Sequence, residues 1–200
     1  MKKLLYTFLA VSLIFSACEE EDAAPSTNNN TGNNNSSLAI GDTHQGGIIF
    51  YLDGNGGGLI SAPSDQGVAQ WGCYEINIIG ADGIAIGTGA QNTIDIEEGC
   101  TTPATAADIC ANLTLGGYSD WFLPSKDELN EMFLNIGQGN LVLSNIGNFG
   151  SYDGSTYISS TESNELQAWM QRFGMSDGVY GIQDVKSKDQ YQLVRAIRAF

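Results

Sequence analysis

The chain has 200 residues, of which 42% are hydrophobic, and a formal net charge of −15 at pH 7. This length allows one domain with a sizeable core and a tail. Acidic residues outnumber basic residues by 23 to 8, and a field of that sign repels polyanions, so nucleic acid is not expected as a partner. After the first twenty residues, no window of the sequence is apolar enough to span a bilayer.

The first residues have the pattern of a lipoprotein signal peptide. Lys2 and Lys3 form a positive n-region, residues 4–15 form an apolar segment too short to span a bilayer, and small residues run into Cys18. This order resembles a bacterial lipobox and predicts a signal peptide over residues 1–17 and lipidation of Cys18. The alternative is an ordinary signal peptide followed by a chance cysteine. Cleavage would remove two bases and leave a mature chain of 6 − 23 = −17 charges.

Residues 18–37 are predicted to be a flexible tether. Four consecutive acids at positions 19–22 follow Cys18, and such a cluster resembles the surface-export signal of Bacteroidota lipoproteins; the alternative is a solvated run of charge. The rest of the segment, rich in Asn, Ser, Thr and Gly, lacks the apolar content to pack. We expect an outer membrane lipoprotein with its domain at the cell surface, with a periplasm-facing domain as the alternative. The lipid anchor would be its only membrane contact.

The folded domain is predicted to cover residues 38–200. Residues 48–52 have the composition of a buried strand, the Gly-rich residues 53–58 form a turn, and residues 59–62 return as the second strand of a hairpin. Residues 69–99 are predicted to be a long, mostly irregular segment. Because the chain contains a single histidine, no His-based metal cluster can be fully assembled, and neither a metal nor a cofactor is predicted.

Two helices are predicted in the middle of the domain. Apolar residues at helical spacing indicate the first helix over residues 102–115. The second helix is expected over residues 126–136, with Ser125 as its N-cap and Glu128 closing a capping box. Residues 121–123 lie just before it and have the composition of a short strand.

The C-terminal third is predicted to be an antiparallel meander. Its strands are residues 156–161, 167–173 and 192–200, and the turns or loops between them include residues 174–178 and 186–190. Strands of this kind place alternate residues on opposite faces of a sheet.

The last predicted strand carries two arginines. Arg195 and Arg198 flank Ile197 and are expected to point to opposite faces. One of them is predicted to be buried and paired with an acid. The candidate acids are Asp120, Glu128 and Glu162.

Three ordered blocks resemble a known family. They are WFLPSKDEL at residues 121–129, YISSTES followed by AWMQRF within residues 157–173, and VRAIRAF at residues 194–200. Together they are similar to the domain that ends the Legionella collagen-like adhesin, a domain widespread in Bacteroidota lipoproteins. The resemblance covers about residues 40–200.

The resemblance implies a C-type-lectin-like α+β fold. Combined with the predicted elements, it gives two helices packed on a small antiparallel sheet with long irregular loops. The founding adhesin domain is trimeric and binds sulfated glycosaminoglycans, so a homotrimer is implied as well, although a polysulfate matches a strongly acidic chain poorly unless the C-terminal bases form one patch. The motif residues expected to act in structure are Trp121, Pro124, Glu128, Ser159, Ser160, Arg195 and Arg198.

Three cysteines remain once Cys18 is lipidated, and they allow one disulfide and one free thiol in an oxidising compartment. A Cys100–Cys110 bridge would staple the start of the first predicted helix, would contribute about 3 kcal/mol in the chain-entropy model, and is the favoured pairing. Pairing of Cys73 with Cys100 or with Cys110, which would tie down the irregular segment, stays open.

The function predicted from these features is a recognition or adhesion module for a glycan or for a host or neighbouring surface protein. The alternatives are a structural or accessory lipoprotein without a small ligand, and a hydrolase that uses two carboxylates such as Glu128 and Glu162. No catalytic residue is assigned. The net charge favours a neutral glycan or a protein over an anionic glycan. The ligand-binding residues expected among the C-terminal loops are Glu162, Asn164, Trp169, Arg172, Lys186 and Lys188.

Overall fold

The computed structural model describes residues 37–150, 155–175 and 178–200. The predicted signal peptide, Cys18 and all but the last residue of the predicted tether lie outside the described residues. The described part contains three helices and nine strands arranged in two sheets. The predicted α+β class is therefore confirmed.

The first sheet has four antiparallel strands, in the order β1-β2-β3-β9. They are β1 (Thr43–His44), β2 (Gly47–Leu52), β3 (Gly58–Ser61) and β9 (Ile197–Ala199). The hairpin predicted from residues 48–62 is confirmed, since Ile49 pairs with Ile60 across β2 and β3. The fourth strand comes from the far end of the chain and pairs Arg198 with Ile60.

The second sheet has five strands, in the order β4-β8-β5-β6-β7. They are β4 (Gly67–Ala69), β5 (Thr156–Asn164), β6 (Gln167–Arg172), β7 (Gln183–Ser187) and β8 (Gln192–Val194). Neighbouring strands are antiparallel except β5 and β8, which run parallel where Tyr157 lies beside Leu193. The two strands predicted around residues 156–173 are confirmed as the long hairpin β5–β6.

Three details of the predicted antiparallel meander are wrong. The strand β8 runs parallel to β5, because it enters the sheet beside β5 and not beside β7, the strand that precedes it in the chain. Residues 186–187, predicted as loop, belong to β7, because this strand fills the free edge of β6. The predicted last strand is divided into β8 and β9, which lie in different sheets. Ala196 makes the crossing, since its N–H donates to Gln66 Oε1 at 2.6 Å and its carbonyl accepts from Ala62 N at 2.9 Å.

The helices are α1 (Gly89–Gly99), α2 (Ala106–Ala111) and α3 (Lys126–Ile136). The predicted bounds and capping box of α3 are confirmed: Ser125 Oγ accepts from Glu128 N at 3.3 Å, and Glu128 Oε2 accepts from Ser125 N at 2.7 Å. The first predicted helix, residues 102–115, is reduced to the six residues of α2. Its capping box begins at the N-cap Thr105, so the helix starts at Ala106, four residues after the expected start.

The helix α1 corrects the prediction of an irregular segment over residues 69–99 and of two helices only. Its sequence has glycine at both ends and several residues of modest helix propensity between them. The N-cap Thr88 makes no side-chain cap bond. Instead, Gly87 N donates to Glu128 Oε1 at 2.8 Å, across 41 residues of chain. A cap supplied from that distance leaves no local sequence pattern, which is why the helix was missed.

The core consists of two apolar clusters, and residues 121–123 join them. Trp121 and Leu123 pack in the cluster that contains Trp71 and Ile96, whereas Phe122 packs in the other cluster. The predicted short strand is limited to Phe122, which exchanges two backbone hydrogen bonds of 2.9 Å with Ile197.

The disulfide joins Cys73 to Cys100, and Cys110 is a buried free thiol. The favoured pairing of Cys100 with Cys110 is therefore wrong, and one of the open alternatives is formed. The C-terminal end of α1 brings Cys100 to the loop of Cys73, with 5.6 Å between the two Cα atoms, a usual distance for a bridge. Cys110 lies within the first apolar cluster instead. Because α1 was not predicted, its role in this pairing could not be anticipated.

Candidate functional site

Two of the residues predicted to bind ligand form a buried ion pair. Lys188 Nζ contacts Glu162 Oε1, donates to the carbonyl of Ile76 at 2.8 Å, and lies 4.2 Å from the ring centroid of Trp71. Glu162 accepts the N–H of Ile78 with both oxygens, at 3.0 and 3.1 Å. The side chain of Lys188 is fully buried and that of Glu162 is 3% exposed. Both charges are therefore used inside the fold.

The ion pair fastens the loop before α1 to the second sheet. Burial lowers the pKa of Lys188, and the hydrogen bond with Glu162 opposes this shift. The backbone adds to the attachment, since Gly72 N donates to the carbonyl of Lys188 at 3.1 Å. Removing either charge would leave the other buried without its partner.

Three further predicted residues lie on two different faces of the second sheet. Trp169 is paired with Val185 across β6 and β7, and Lys186 is paired with Ala168. Paired residues share a face and successive residues alternate, so Trp169 and Lys186 are on opposite faces. Arg172 falls on the face of Ala168 by the same alternation. The structure does not bring these residues together into one site.

Trp169 and Asn164, both predicted to bind ligand, contact a neighbouring side chain and their own turn, respectively. Lys126 Nζ lies 4.6 Å from the ring centroid of Trp169 and covers part of the half-buried indole. Asn164 Oδ1 accepts from Leu166 N at 2.9 Å and shapes the turn between β5 and β6. Neither arrangement forms an open aromatic platform of the kind on which a sugar ring stacks.

The motif residues around Trp121 are buried and hydrogen-bonded within the fold. Trp121 Nε1 donates to the carbonyl of Leu115 at 3.3 Å. The carbonyl of Pro124 accepts from Ser160 N at 2.7 Å, and Ser159 Oγ donates to a carbonyl of β6 at 2.8 Å. These contacts tie the segment before α3 to β5 and give the motif residues positions in the core.

The carboxylate of Glu128 stands at the N-termini of two helices. It accepts from Ser125 N at 2.7 Å at the start of α3 and from Gly87 N at 2.8 Å at the start of α1. Burial raises its pKa, and the backbone donors around it oppose this shift. A Cβ at position 89 would lie 2.2 Å from Glu128 Oε2, so glycine there allows the carboxylate to reach α1.

Both C-terminal arginines are buried in ion pairs, although only one was expected to be. Arg195 donates to Asp65 Oδ1 through Nε at 2.8 Å and Nη2 at 2.5 Å, and its guanidinium lies 4.2 Å from the ring centroid of Phe149. Arg198 pairs with Asp120, one of the three candidate acids, and their hydrogen bond lowers the pKa of Asp120. Three of the six bases from residue 37 onward, counting Lys188, thus have buried side chains that pair with acids, although Asp120 itself is exposed.

An open cleft of about 410 Å³ lies between α1, α2 and residues 120–122. We call it the α1–α2 cleft. Most of its wall is apolar and is formed by Ala90, Ile94, Ala111, Trp121 and Phe122. Its carboxylates are Glu97, Glu98 and Asp120. The sequence could not reveal this cleft, because one of its two helices was not predicted.

A carboxyl pair lies at the edge of the α1–α2 cleft. Asp108 is held by the capping box of α2, where its Oδ2 accepts from Thr105 N at 2.9 Å. Glu97 hydrogen-bonds to Asp108, and its pKa is raised to about 7, first by burial and then by the hydrogen bond and the charge of Asp108. Near neutral pH Glu97 is therefore present in both its protonated and its ionised form. Burial also raises the pKa of the neighbouring Cys110 thiol, so it is not a nucleophile.

Residues 37–150, 155–175 and 178–200 contain no group of three or more His, Cys, Asp or Glu side chains placed to hold a metal ion. In the same ranges, no helix has the length and apolar composition needed to cross a bilayer. Comparison of the chain with protein-family models and with curated proteins gave no match. The α1–α2 cleft is therefore the feature on which a functional proposal rests.

Proposed function

We propose that this chain is a surface-anchored bacterial lipoprotein whose domain is a recognition or adhesion module for a polypeptide or a glycan. The observation that carries the proposal is the α1–α2 cleft, which combines an open apolar wall with carboxylates. Its volume of about 410 Å³ falls in the range of ligand sites, about 300–1,000 Å³. The carboxylates Glu97 and Glu98 are solvent-exposed, unlike the buried Glu128 and Glu162.

The three sequence blocks that resemble the C-terminal domain of the Legionella collagen-like adhesin support a C-type-lectin-like form of the α+β fold. The homotrimer of that family is proposed for this chain on the same resemblance. A sulfated glycosaminoglycan is not the proposed ligand, because three of the bases that could have formed a C-terminal patch are buried in ion pairs.

Membrane anchoring through Cys18 is a separate part of the proposal and has its own test. The order of positive charge, apolar segment, small residues and Cys18 supports it, and the acids that follow support export to the surface. We expect Cys18→Ser to move the protein from the outer membrane fraction to the soluble fraction, while Cys110→Ala leaves it with the membrane. A Cys18→Ser protein that still fractionates with the outer membrane would refute the lipid anchor.

Recognition is tested by screening the full chain on glycan and peptide arrays at low and high ionic strength. A neutral glycan should bind with little salt dependence, whereas a cationic polypeptide should bind less tightly as salt increases. Saturable binding in either class supports the recognition module. Absence of binding in both classes would favour the second candidate, an accessory lipoprotein.

The accessory candidate has one structural observation in its favour. Lys188 and Glu162, which were expected to contact a ligand, are both used inside the fold. A hydrolase based on Glu128 and Glu162 has no such support, since Glu128 caps two helices and Glu162 is held by Lys188 and the backbone of Ile78. Neither carboxylate is free to act on a substrate as the structure stands.

A further inference from the structure

We infer that the α1–α2 cleft binds a lysine side chain of a partner polypeptide. This inference rests on the proposed recognition function and assigns the chemistry of its partner. Three features of the described residues lead to it: the apolar wall of the cleft, the negative charge of its carboxylates, and a second hollow beside α1 that shares Glu98 with the cleft.

The apolar wall fits the stem of a lysine side chain. Ala90 and Ile94 of α1 line the cleft together with Trp121 and Phe122, and Ile94 is 48% exposed. A lysine carries its ammonium group at the end of four methylenes, which pack on apolar surface while the charge stays hydrated. A metal ion or an unsubstituted ammonium ion would leave this wall uncovered.

The charge of the cleft selects a cation. No base of the described chain lines it, and among its carboxylates only Asp120 contacts a base, Arg198. Residues 37–200 contain 19 acids and 6 bases, so the domain as a whole carries 6 − 19 = −13 charges. An anionic ligand would be repelled by this field, and a neutral glycan would gain no electrostatic attraction from Glu97 and Glu98.

A second hollow indicates a polypeptide rather than a small amine. It has a volume of about 290 Å³, lies between α1 and residues 77–79, and is lined by residues that include Ile79, Asp95 and Glu98. Glu98 therefore borders both hollows, and Ile79 is 89% exposed. A segment that places a lysine in the α1–α2 cleft can lay a neighbouring apolar residue against Ile79.

The titration of Glu97 makes this binding depend on pH. The groups that face Glu97 are Asp108 on α2, the adjacent Glu98 on α1, Asp120 with its partner Arg198, and the buried thiol of Cys110. With a pKa of about 7, Glu97 is about one-tenth ionised at pH 6 and about nine-tenths ionised at pH 8. Lysine stays protonated over this range, so binding should be tighter at pH 8 and should release a proton.

The experiment uses the full chain and the peptide acetyl-Ala-Ile-Lys-Ile-Ala-amide, followed by NMR chemical shifts of the backbone amides. One control peptide carries acetyl-lysine, which keeps the stem and removes the charge. The other carries 2,3-diaminopropionic acid, which keeps an amine and shortens the stem. We expect saturable shifts in α1 and residues 120–122 with the lysine peptide, and binding at least about tenfold weaker with either control.

Three variants test the cleft itself. Glu97→Gln/Glu98→Gln should weaken lysine-peptide binding by about tenfold and remove its dependence on pH between 6 and 8. Glu75→Gln/Asp189→Asn removes the same charge at exposed positions outside the cleft and should bind within about twofold of wild type. Ala111→Leu keeps every charge and fills part of the apolar wall, and it should also weaken binding. Thermal melting of each variant establishes that it is folded.

Equal binding of the three peptides to the wild-type chain would overturn the inference, and this result needs no variant to fold. Wild-type affinity in folded Glu97→Gln/Glu98→Gln, or no shift in α1 with the lysine peptide, would overturn it too. The arrays separate this failure from failure of the proposed function. If an array ligand binds wild type and the cleft variants equally, the proposed recognition function is supported and the assignment of a lysine ligand to the cleft is refuted. If nothing binds, both the recognition function and the lysine assignment are refuted.

Discussion

At the scale of single residues, Glu128 connects the N-terminal ends of α3 and α1, which are distant in the sequence. Its carboxylate completes the capping box of α3 and also receives the N–H of Gly87 before α1. Two helices thus share one negative charge at their positive ends, where a carboxylate is most favourable. The side chain that a sequence pattern assigns to one helix is a structural requirement of another.

Replacing Glu128 with Gln tests this double role. The amide has a single acceptor oxygen and places an N–H₂ group against one of the backbone donors. We expect a loss of about 2–3 kcal/mol in the free energy of unfolding, since hydrogen bonds to charged groups contribute about 1.5–3 kcal/mol. Ser125→Ala, which removes the cap of α3 only, should lose about 1 kcal/mol. Urea midpoints that rank the two variants in the reverse order would argue against a shared cap.

The buried pair of Lys188 and Glu162 gives a second prediction. Lys188→Met should destabilise the domain by about 3–5 kcal/mol, because Glu162 is then buried without its counter-charge. Adding Glu162→Gln should recover much of that loss, and a double-mutant cycle in urea measures the coupling. Lys186→Ala, on the strand next to this pair, is the control and should change stability by about 0.5 kcal/mol or less. Independent, additive effects of the two substitutions would contradict the ion pair.

At the scale of elements, α1 is a helix whose own sequence supports it poorly. Its acids Asp95, Glu97 and Glu98 fall in its second half, near the negative end of the helix dipole. Its N-cap Thr88 makes no side-chain cap bond, Glu128 accepts the N–H of Gly87 just before the helix, and the stripe that includes Asn92, Thr93 and Ile96 is buried. The helix is therefore held in place by the surrounding fold. Elements whose sequence disagrees with local helix preferences, such as capping and charge placement, are commonly found at functional sites. The position of α1 beside the proposed site agrees with this.

The raised pKa of Glu97 predicts how stability depends on pH. The folded chain holds the Glu97 proton up to a pH of about 7, whereas an unfolded chain releases it near pH 4.3. The stabilisation from the Glu97–Asp108 hydrogen bond is therefore fully present below about pH 4 and is lost as pH rises through about 7. We expect Glu97→Gln to gain stability over wild type at pH 8 and to show little gain at pH 5.

Denaturant midpoints at the two pH values measure this difference. Glu98→Gln is the matched control, because it removes a neighbouring charge of the same helix that is not assigned to the carboxyl pair. A Glu97→Gln effect of the same size at both pH values would show that Glu97 does not titrate between them.

The elements that were predicted correctly are those defined by nearby residues. The bounds of α3 followed from its apolar stripe and from Ser125 and Glu128, all within a dozen positions. The β2–β3 hairpin followed from one Gly-rich turn. The helix α1, the division of β8 from β9, and the α1–α2 cleft depend on partners far away in the chain, such as Glu128 for α1. Glu97 and Glu98 are exposed, and the sequence around them contains no motif that indicates a binding site.

At the scale of the whole molecule, the disulfide links the end of α1 to the loop that carries Cys73, and the two cysteines are 27 positions apart in the sequence. A loop of this size predicts a stabilisation of about 3.5 kcal/mol in the chain-entropy model. Reduction with a small thiol should therefore lower the free energy of unfolding by about that amount. The double variant Cys73→Ala/Cys100→Ala should not respond to the reductant. Equal stability of the oxidised and reduced wild-type protein would contradict this role.

Residues 192–200 supply one strand to each sheet, and this placement decides when the domain can fold during its synthesis. Until β8 emerges, β4 and β5 have nothing between them, and until β9 emerges, the edge of β3 is unpaired. A nascent chain that stops before these residues can form the β2–β3 hairpin and α3 but neither finished sheet. Because pairing across so many residues is also slow, the emerging chain stays accessible to chaperones and proteases until its last strands are made.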